Sequence, residues 1–390
     1  MISSLLHFSN VEEFIPRGQL GYKPLQKIQR LMDLLAPRIS QAFYPYRSIS
    51  LDESMAPFKG RCHFRMYMPN KPTKRGFKVF LVCDETTHYA LIFVVYTGKE
   101  DFTVPADTSF TEHLVTTLMT DYFDASHVLY MDSFYSSPSL FLSLQDKQTG
   151  AVGTVMENRR GFPDALKRAN QPLRKGDDPV FYRHKDLVAV AWHDTKRVHL
   201  LSTIHTNTVV DKEIRNKDDP TGYRRVKKPV IADVINAHMG GVDYFDKKLK
   251  NYYYPHRNYK WYMALFNYFK EMCLVNSHNV YEQDGHKGTV KDFHREIVTG
   301  LVQPYMASQP TQSPNANAMG RLAVAAFGHF PAQFEDKKHR PNCKVCSLVK
   351  VHAQTRFYCP VCNVALCVST CFRIYHTAEN IRAAREQVNP

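Results

Sequence analysis

The chain has 390 residues, of which 44% are hydrophobic and 23% charged, with a formal net charge of +14 at pH 7. This length suggests two or three domains, and the hydrophobic share is enough for a sizeable core. No apolar run approaches the roughly 20 residues of a membrane span, and no signal peptide is predicted at "MISSLLHFSNVEEF". The basic balance fits a polyanionic partner, most often nucleic acid, with a generic basic protein as the alternative.

The residues from Met1 to about Ser40 are predicted to be helical. Apolar residues at helical spacing, from Leu25 and Ile28 to Leu31 and Leu34, carry this prediction up to about Ser40. Alternation in "YRSISLDESMAPF" then predicts a strand up to Asp52. The apolar, β-branched runs "GFKVFLVCDE" and "HYALIFVVYTG" predict two further strands.

A helix, a strand and a second helix follow these three strands. "SFTEHLVTTLMTDYF" is predicted to be a helix, with Ser109 or Thr111 as its N-cap. "HVLYMDSFYSS" reads as a strand that ends near Asp132, and Pro138 lies in the first turn of the next helix. This order is that of an RNase H-like α/β core, in which sites form at the carboxyl edge of the sheet. Asp52 and Asp132 are both predicted near strand ends.

The sequence pattern changes three times in the remainder of the chain. Short strands broken by polar turns indicate a β-rich insertion, and a long helical pattern follows it. A segment rich in Pro, Ser, Asn and Gln then indicates a linker before a cysteine-rich end. The predicted domains are 1–45 (a helical remnant of an N-terminal dimerisation or DNA-binding region), 46–155 (first part of the core), 156–229 (insertion), 230–302 (second, helical part of the core), 303–335 (linker) and 336–380 (cysteine-rich zinc domain).

Two acids stand three residues apart behind a pair of glycines, Gly240 and Gly241, in a basic chain. Asp243 and Asp246 would be neighbours on a helix, where two carboxylates repel unless a proton or a cation intervenes. The alternative is a solvated helix start, where acids are favoured by the helix dipole. Together with Asp52 and Asp132 they would supply the carboxylates that two-metal phosphoryl chemistry needs.

The residues around these acids resemble the catalytic blocks of piggyBac-type DDE/D transposases. The resemblance rests on "SISLDESMAPFKGRCHFRMYMPNKPTKRGFKVF", "LYMDSFYSSPSL" and "MGGVDYFDKKLKNYYYPHRNYKWYMALF", in this order, and covers most of the chain. It implies that Asp52, Asp132, Asp243 and Asp246 are catalytic ligands of Mg²⁺ or Mn²⁺. It further implies cleavage and transfer of transposon DNA ends at TTAA sites, a homodimer, and a nuclear location.

Several basic residues are candidates for DNA contact. Arg61, Arg65, Lys71, Lys74, Arg75 and Lys78 form a string suited to phosphates, with a solvated charged face as the alternative. The resemblance adds Lys260 and Trp261, near the DNA end. The tyrosines from Tyr252 to Tyr254 would either stack on bases or pack in the core. Four further acids, Asp84, Asp101, Asp121 and Asp124, are expected to be surface or cap residues.

The cysteine-rich end has the spacing of a zinc unit. Paired CxxC steps are a strong zinc signal because tetrahedral Zn²⁺ takes two such pairs. Seven potential ligands predict two interleaved zinc ions, and one zinc with spare thiols is the alternative. One group would be Cys343, Cys346, Cys367 and Cys371; the other would be Cys359, Cys362 and His376, with His352 as a candidate fourth ligand. The unit resembles the transposon-end-binding domain of the same family, with a RING-like or PHD-like interaction role as the rival.

A second class of function stays open at the level of sequence. The family normally has a longer N-terminal region, and Met1 begins inside its helical part. The alternative to a transposase is therefore a catalytically silent, domesticated DNA-binding or chromatin-binding protein that uses the basic core and the zinc domain.

Overall fold

The computed structural model describes residues 6–215, 222–252, 259–308 and 329–388. Contacts divide the chain into two units, Met1–Val298 and Thr299–Pro390, which are described separately below. None of the helices in these described ranges has the length and apolar character needed to cross a membrane.

The larger unit is built on a nine-stranded mixed sheet. Its strands are β1 (Ser48–Pro57), β2 (Met66–Tyr67), β3 (Arg75–Asp84), β4 (Ala90–Val95), β5 (Val128–Met131), β6 (Gly150–Thr154), β7 (Val180–His184), β8 (Leu187–His193) and β9 (Arg197–Ser202). The central order is β4-β3-β1-β5-β6, with antiparallel pairs from β4 to β1 and parallel pairs from β1 to β6. This is the order of the predicted RNase H-like α/β core, and the predicted fold class is confirmed.

Helices cover the sheet, and the apolar strands between them form the core. They are α1 (Gln29–Ala42), α2 (Phe110–Met119), α3 (Pro138–Asp146), α4 (Val230–His238), α5 (Gly241–Tyr252) and α6 (Trp261–Gln283). A further helix, α7 (Val290–Ser308), begins in the larger unit and ends in the smaller one. Ser109 caps α2 by accepting from the amide of Glu112, and Ser137 caps α3 in the same way from Leu140. Asn276 of α6 bonds both backbone groups of Ala90, which ties this helix to the edge strand β4.

The β-rich insertion extends the core sheet instead of forming a separate domain. Strand β9 pairs with β6, and β8 and β7 follow outward. A second hairpin, β10 (Val209–Arg215) with β11 (Tyr223–Pro229), forms its own two-stranded sheet. The insertion therefore continues the hydrogen-bonded ladder of the core.

The N-terminal region contains less helix than its periodicity predicted. Helix α1 begins only at Gln29, and the residues before it that the structure describes are turns and one short 3₁₀ segment, Val11–Glu13. Gly18 and Gly21 have φ angles of 91° and 89°, which a helix does not allow. The chain therefore turns where an uninterrupted helix was expected.

The smaller unit contains three short strands and three short helices in its described residues from 329 onward. These are β12 (Ala332–Gln333), β13 (Phe357–Cys359) and β14 (Val364–Ala365), with α8 (Lys344–Leu348), α9 (Cys371–Thr377) and α10 (Ile381–Glu386). Strand β13 pairs with both β12 and β14. Four of the seven residues in its buried cluster are cysteines.

Candidate functional site

Asp52 and Asp132 are placed side by side by the register of two parallel strands. Leu51 of β1 pairs with Met131 of β5, and each acid is the next residue on its strand. Neighbouring strands lie about 4.8 Å apart, so the two side chains leave the same face close together. Asp132 follows β5 as predicted, but β1 continues to Pro57, so Asp52 lies within a strand and not at its end.

The loop that carries Asp132 is held by its own turn and by an arginine of the insertion. The Asp132 Oδ1 accepts from the amide of Phe134 at 2.9 Å, and its backbone oxygen accepts from the Ser136 hydroxyl at 2.9 Å. The Arg159 guanidinium donates to the backbone oxygens of Ser133, at 2.9 Å, and Phe134. Nothing in the sequence pattern indicated Arg159, because its partners are backbone oxygens of a distant segment.

Helix α5 begins with a close backbone approach to β1. The amide of Gly241 donates to Glu85 Oε1 at 2.8 Å, so a carboxylate binds the helix N-terminus. A Cβ on Gly241 would lie 2.6 Å from Glu85 Oε1 and from Ser50 Oγ. Neither Gly240 nor Gly241 has a positive φ. Gly241 therefore leaves space for the Glu85 and Ser50 side chains, and neither glycine adopts the left-handed backbone that favours this residue type.

Asp246 is fixed against the same face of β1. Its Oδ1 accepts from Ser54 Oγ at 2.5 Å, and Ser54 Oγ accepts from the Tyr268 hydroxyl at 2.8 Å. Alternate strand residues share a face, so Asp52 lies on this face between Ser50 and Ser54. Because Gly241 contacts Ser50 and Asp246 contacts Ser54, helix α5 carries the exposed Asp243 toward Asp52.

Burial raises the pKa of three of these acids. Burial, opposed by Lys71 and reinforced by Glu53, raises the pKa of Asp52 to about 7. Burial likewise raises the pKa of Asp246 to about 6 and that of Asp132 above its ordinary value. The site therefore holds carboxyl groups that need either a proton or a cation at neutral pH.

We expect Asp52→Asn to stabilise the protein in buffer without Mg²⁺ or Mn²⁺, increasingly as the pH rises. The folded pKa of about 7 lies above the ordinary value of 3.8, so the unfolded chain releases its proton first and stability falls as pH rises between these values. The gain in melting temperature should grow from about pH 4 to about pH 7 and level off above it, at about 2–4 °C per kcal/mol. Exposed Asp121→Asn is the control, and a pH-independent difference would contradict the expectation.

The predicted DNA-binding residues fall into two groups. Arg61, Lys74 and Arg75 are exposed, and the Arg75 guanidinium lies over the Tyr67 ring at 5.4 Å. Arg65 instead donates to the backbone oxygens of Lys59 and Gly60, and so holds its own loop. The three exposed side chains can contact phosphates without breaking a buried interaction.

Two predicted phosphate ligands are paired with acids. Lys71 Nζ lies 3.4 Å from Asp52 Oδ2. Lys78 is buried, lies 3.8 Å from Glu53 Oε2, and has the rings of Phe80 and Phe134 beside its ammonium. Lys78 is therefore a structural residue, which corrects the prediction that it contacts phosphate. Glu53 was missed because it follows Asp52 directly and its partner lies on another strand.

Trp261 and the remaining predicted residues have mixed outcomes. The Trp261 ring packs edge-on against Phe64 at 5.2 Å and is half-buried, while Lys260 Nζ lies 5.9 Å from the centre of the Tyr262 ring. The side chains of Tyr252 to Tyr254 lie outside the described residues. Asp84 is fully buried, not a surface residue, and caps a turn by accepting from the amide of Thr87 at 2.7 Å.

The cysteine-rich unit gathers its ligands into two groups of four. Within each group one ligand atom per residue lies within 4.8 Å of all the others: Cys343, Cys346, Cys367 and Cys371 in one, and His329, Cys359, Cys362 and His376 in the other. In the described part of the chain, these are the groups with this spacing. His329 thus takes the fourth place for which His352, an exposed residue, was the candidate. Antiparallel pairing of Ala332 with Tyr358 brings His329 back beside Cys359.

The spacing in both groups suits a tetrahedral metal. Zn–S bonds of about 2.3 Å place two sulfurs of a tetrahedron about 3.8 Å apart. Cys346 Sγ lies 3.4 Å from Cys371 Sγ, and Cys362 Sγ lies 3.6 Å from His376 Nε2. The Nδ1 of His376 lies 2.7 Å from the backbone oxygen of Phe372, a bond that leaves Nε2 for a metal. Both groups can hold a zinc ion.

Comparisons with known proteins agree with this architecture. The family model described as Transposase IS4 matches residues 1–278, more than half of the chain. "PiggyBac transposable element-derived protein 3" of Homo sapiens is 24% identical over 369 residues, which are 91% of this chain and 60% of that protein. The "Chimeric ERCC6-PGBD3 protein" of Homo sapiens is also 24% identical over 369 residues, covering 91% of this chain and 33% of that protein. The chain therefore spans less than two thirds of both relatives.

One solved structure shows the same fold. The cryo-EM structure of the piggyBac transposase synaptic complex with hairpin DNA has a TM-score of 0.65 and 24% sequence identity, covering 90% of this chain and 74% of that one. The family match and the shared fold lead to one conclusion: the chain belongs to the piggyBac-type Transposase IS4 family.

Proposed function

We propose that this protein is a metal-dependent transposase that cleaves and transfers DNA strands at TTAA sites. The observation that carries the proposal is the convergence of four acids on one face of the sheet. Asp52 and Asp132 leave neighbouring parallel strands, and α5 brings Asp243 and Asp246 across the same face. Carboxylates converging from separate elements are what two-metal phosphoryl transfer requires.

The donor set fits a hard divalent cation. Its members are carboxylate oxygens, which Mg²⁺ and Mn²⁺ prefer. Burial raises the pKa of Asp52 and Asp246, so a bound cation would stabilise their ionised form. Such a cation, when bound, polarises the phosphate and lowers the pKa of the attacking water. Asp52 and Asp132 would hold it, Asp243 would complete the set, and Asp246 would be oriented by Ser54 and Tyr268.

DNA is the proposed substrate and partner. The chain carries a net charge of +14, and exposed Arg61, Lys74 and Arg75 follow β1 in the same unit as the acids. Phosphate contacts of this kind position a duplex without reading its sequence. The matched piggyBac transposase was solved with hairpin DNA. A nuclear location and a homodimer belong to the same proposal and rest on the family alone.

The cysteine-rich unit is proposed to bind two zinc ions and to contact the transposon end. The two four-ligand groups support the zinc part. The ligands alternate along the chain, with Cys343 and Cys346 in one group and Cys359 and Cys362 in the other, so the two sites are interleaved. The DNA part rests on the family resemblance.

The test is cleavage of a labelled, TTAA-flanked hairpin or nicked terminal-repeat DNA with Mg²⁺ or Mn²⁺. Asp132→Asn and Asp243→Asn should each lower the rate by about a thousandfold, because several kcal/mol of charge stabilisation is lost and each 1.36 kcal/mol is tenfold. Exposed Asp121→Asn is the matched control and should cleave as the wild type does.

The opposite result has a definite meaning. No metal-dependent cleavage by the wild type, with DNA binding that depends on zinc intact, would make this a silent DNA-binding protein on a transposase fold. Cleavage that persists in both acid variants would place the chemistry elsewhere.

A further inference from the structure

The ammonium of Lys71 lies among the oxygens of the acidic site. Its Nζ is 3.4 Å from Asp52 Oδ2 and 2.9 Å from the backbone oxygen of Glu53. The side chains of Lys71 and Asp52 are only 22% and 23% exposed. The chain therefore supplies its own cation at the acid where a divalent ion is proposed to bind.

The loop between β2 and β3 presents Lys71 to this position. The amide of Met68 donates to the backbone oxygen of Lys74 at 2.9 Å, which closes a tight loop with Lys71 inside it. The same loop lines a cavity of about 390 Å³ together with Asp243, Asp246 and Lys247. The flexible lysine stem thus has free space beside it into which the ammonium can move.

We propose that Lys71 is a built-in competitor of the divalent cation at Asp52, an inference that rests on the proposed metal site. With no metal bound, the ammonium offsets part of the charge of Asp52. A metal ion at Asp52 and the ammonium at 3.4 Å from the same carboxylate repel each other, so metal binding requires Lys71 to leave. Wild-type metal affinity is thereby lowered by the lost ion pair.

A DNA phosphate would relieve this competition. It offers the displaced ammonium a new partner, so DNA binding releases Asp52 for the metal. Coupling of this kind is reciprocal, so the metal should raise the affinity for DNA by the same factor by which DNA raises the affinity for the metal. Metal is then taken up most strongly when substrate is present.

The first test measures Mn²⁺ affinity without DNA, by titration calorimetry and by the electron paramagnetic resonance signal of free Mn²⁺. Lys71→Met should bind Mn²⁺ on the order of tenfold more tightly than the wild type, within the usual range of such couplings. Lys71→Gln guards against a folding defect particular to Met, and Lys71→Arg, which keeps the charge, should retain the weaker affinity. Lys59→Met removes an equal charge from an exposed position and should have no effect.

The second test adds a TTAA-containing duplex, with Mn²⁺ binding to DNA alone subtracted. The duplex should raise the Mn²⁺ affinity of the wild type by a larger factor than that of Lys71→Met. Equal Mn²⁺ affinity in the wild type, Lys71→Met and Lys71→Gln would overturn the competitor role even if the wild type cleaves DNA.

The two proposals fail in different ways. If Lys71→Met binds Mn²⁺ more tightly than the wild type but the wild type cleaves no DNA, the competitor role of Lys71 stands and the proposed transposase activity is contradicted. No Mn²⁺ binding by any of these proteins would overturn both.

Discussion

Removal of zinc by a strong chelator is expected to unfold the cysteine-rich unit and leave the larger unit folded. Four of the seven buried residues in its cluster are cysteines, so little apolar packing remains without the metal. Burial and neighbouring thiols raise the pKa of Cys362 to about 11 and that of Cys367 to about 12, so without a metal both are protonated thiols at neutral pH. Structural zinc contributes about 10–16 kcal/mol in such small units.

The chain provides its own reporters for this experiment. Both of its tryptophans, Trp192 and Trp261, lie in the larger unit, so their emission should not change on chelation. Proteolysis near Lys344 and Lys350 should become fast. Unchanged protection there after complete zinc loss would show that the unit folds without metal.

Single substitutions separate the two metal sites. His329→Ala should lower the zinc content from two ions per chain to one, while the matched variant His352→Ala should keep both. Cys346→Ser should empty the other site, with Cys62→Ser as the thiol control outside the unit. Zinc content measured by mass spectrometry decides each case. Loss of zinc from His352→Ala would show that His352, the candidate from the sequence, is a zinc ligand.

Glu53→Gln is expected to destabilise the larger unit by about 3–5 kcal/mol, because it removes the ion-pair partner of buried Lys78. The two side chains are 9% and 14% exposed, and Glu53 also accepts from the Tyr135 hydroxyl at 3.1 Å. Burial already lowers the pKa of Lys78, so part of the cost can be met by loss of its proton. The melting temperature of the larger unit, followed by tryptophan emission, measures the effect.

The control for this pair removes both charges. A Glu53→Gln, Lys78→Met double variant should recover most of the loss, since a well-packed neutral pair is often as stable as a buried ion pair. Asp186→Asn breaks the exposed pair with Arg183 and should change stability by less than about 1 kcal/mol. A Glu53→Gln protein as stable as the wild type would mean that Lys78 needs no partner.

The sequence predicted those strands and helices whose formation depends on their own residues. The strand around Phe80 and Leu81 is apolar at nearly every position, and Ser109 and Pro138 mark helix starts by their own chemistry. The helix expected around Leu31 and Leu34 forms over Gln29–Ala42, but the chain before it turns instead of continuing the helix, with Gly18 and Gly21 at positive φ.

Site residues were predictable where they belong to a motif and not where packing alone brings them in. Asp132 and Asp243 stand in recognisable blocks. His329 reaches its cluster through the pairing of β12 with β13, and it lies in the range 303–335 that was predicted to be a linker. Glu53 and Lys71 take their roles from contacts between separate strands and loops, which no spacing in the sequence encodes.

Arg159 ties the insertion to the loop that carries Asp132. It bridges from the start of the insertion to the backbone oxygens of Ser133 and Phe134, directly after Asp132. A chimera that exchanged this segment between relatives would therefore exchange one support of the acid as well. We expect an insertion grafted onto this core to hold the Asp132 loop best when the arginine, and the short stretch from β6 that delivers it, are grafted with it.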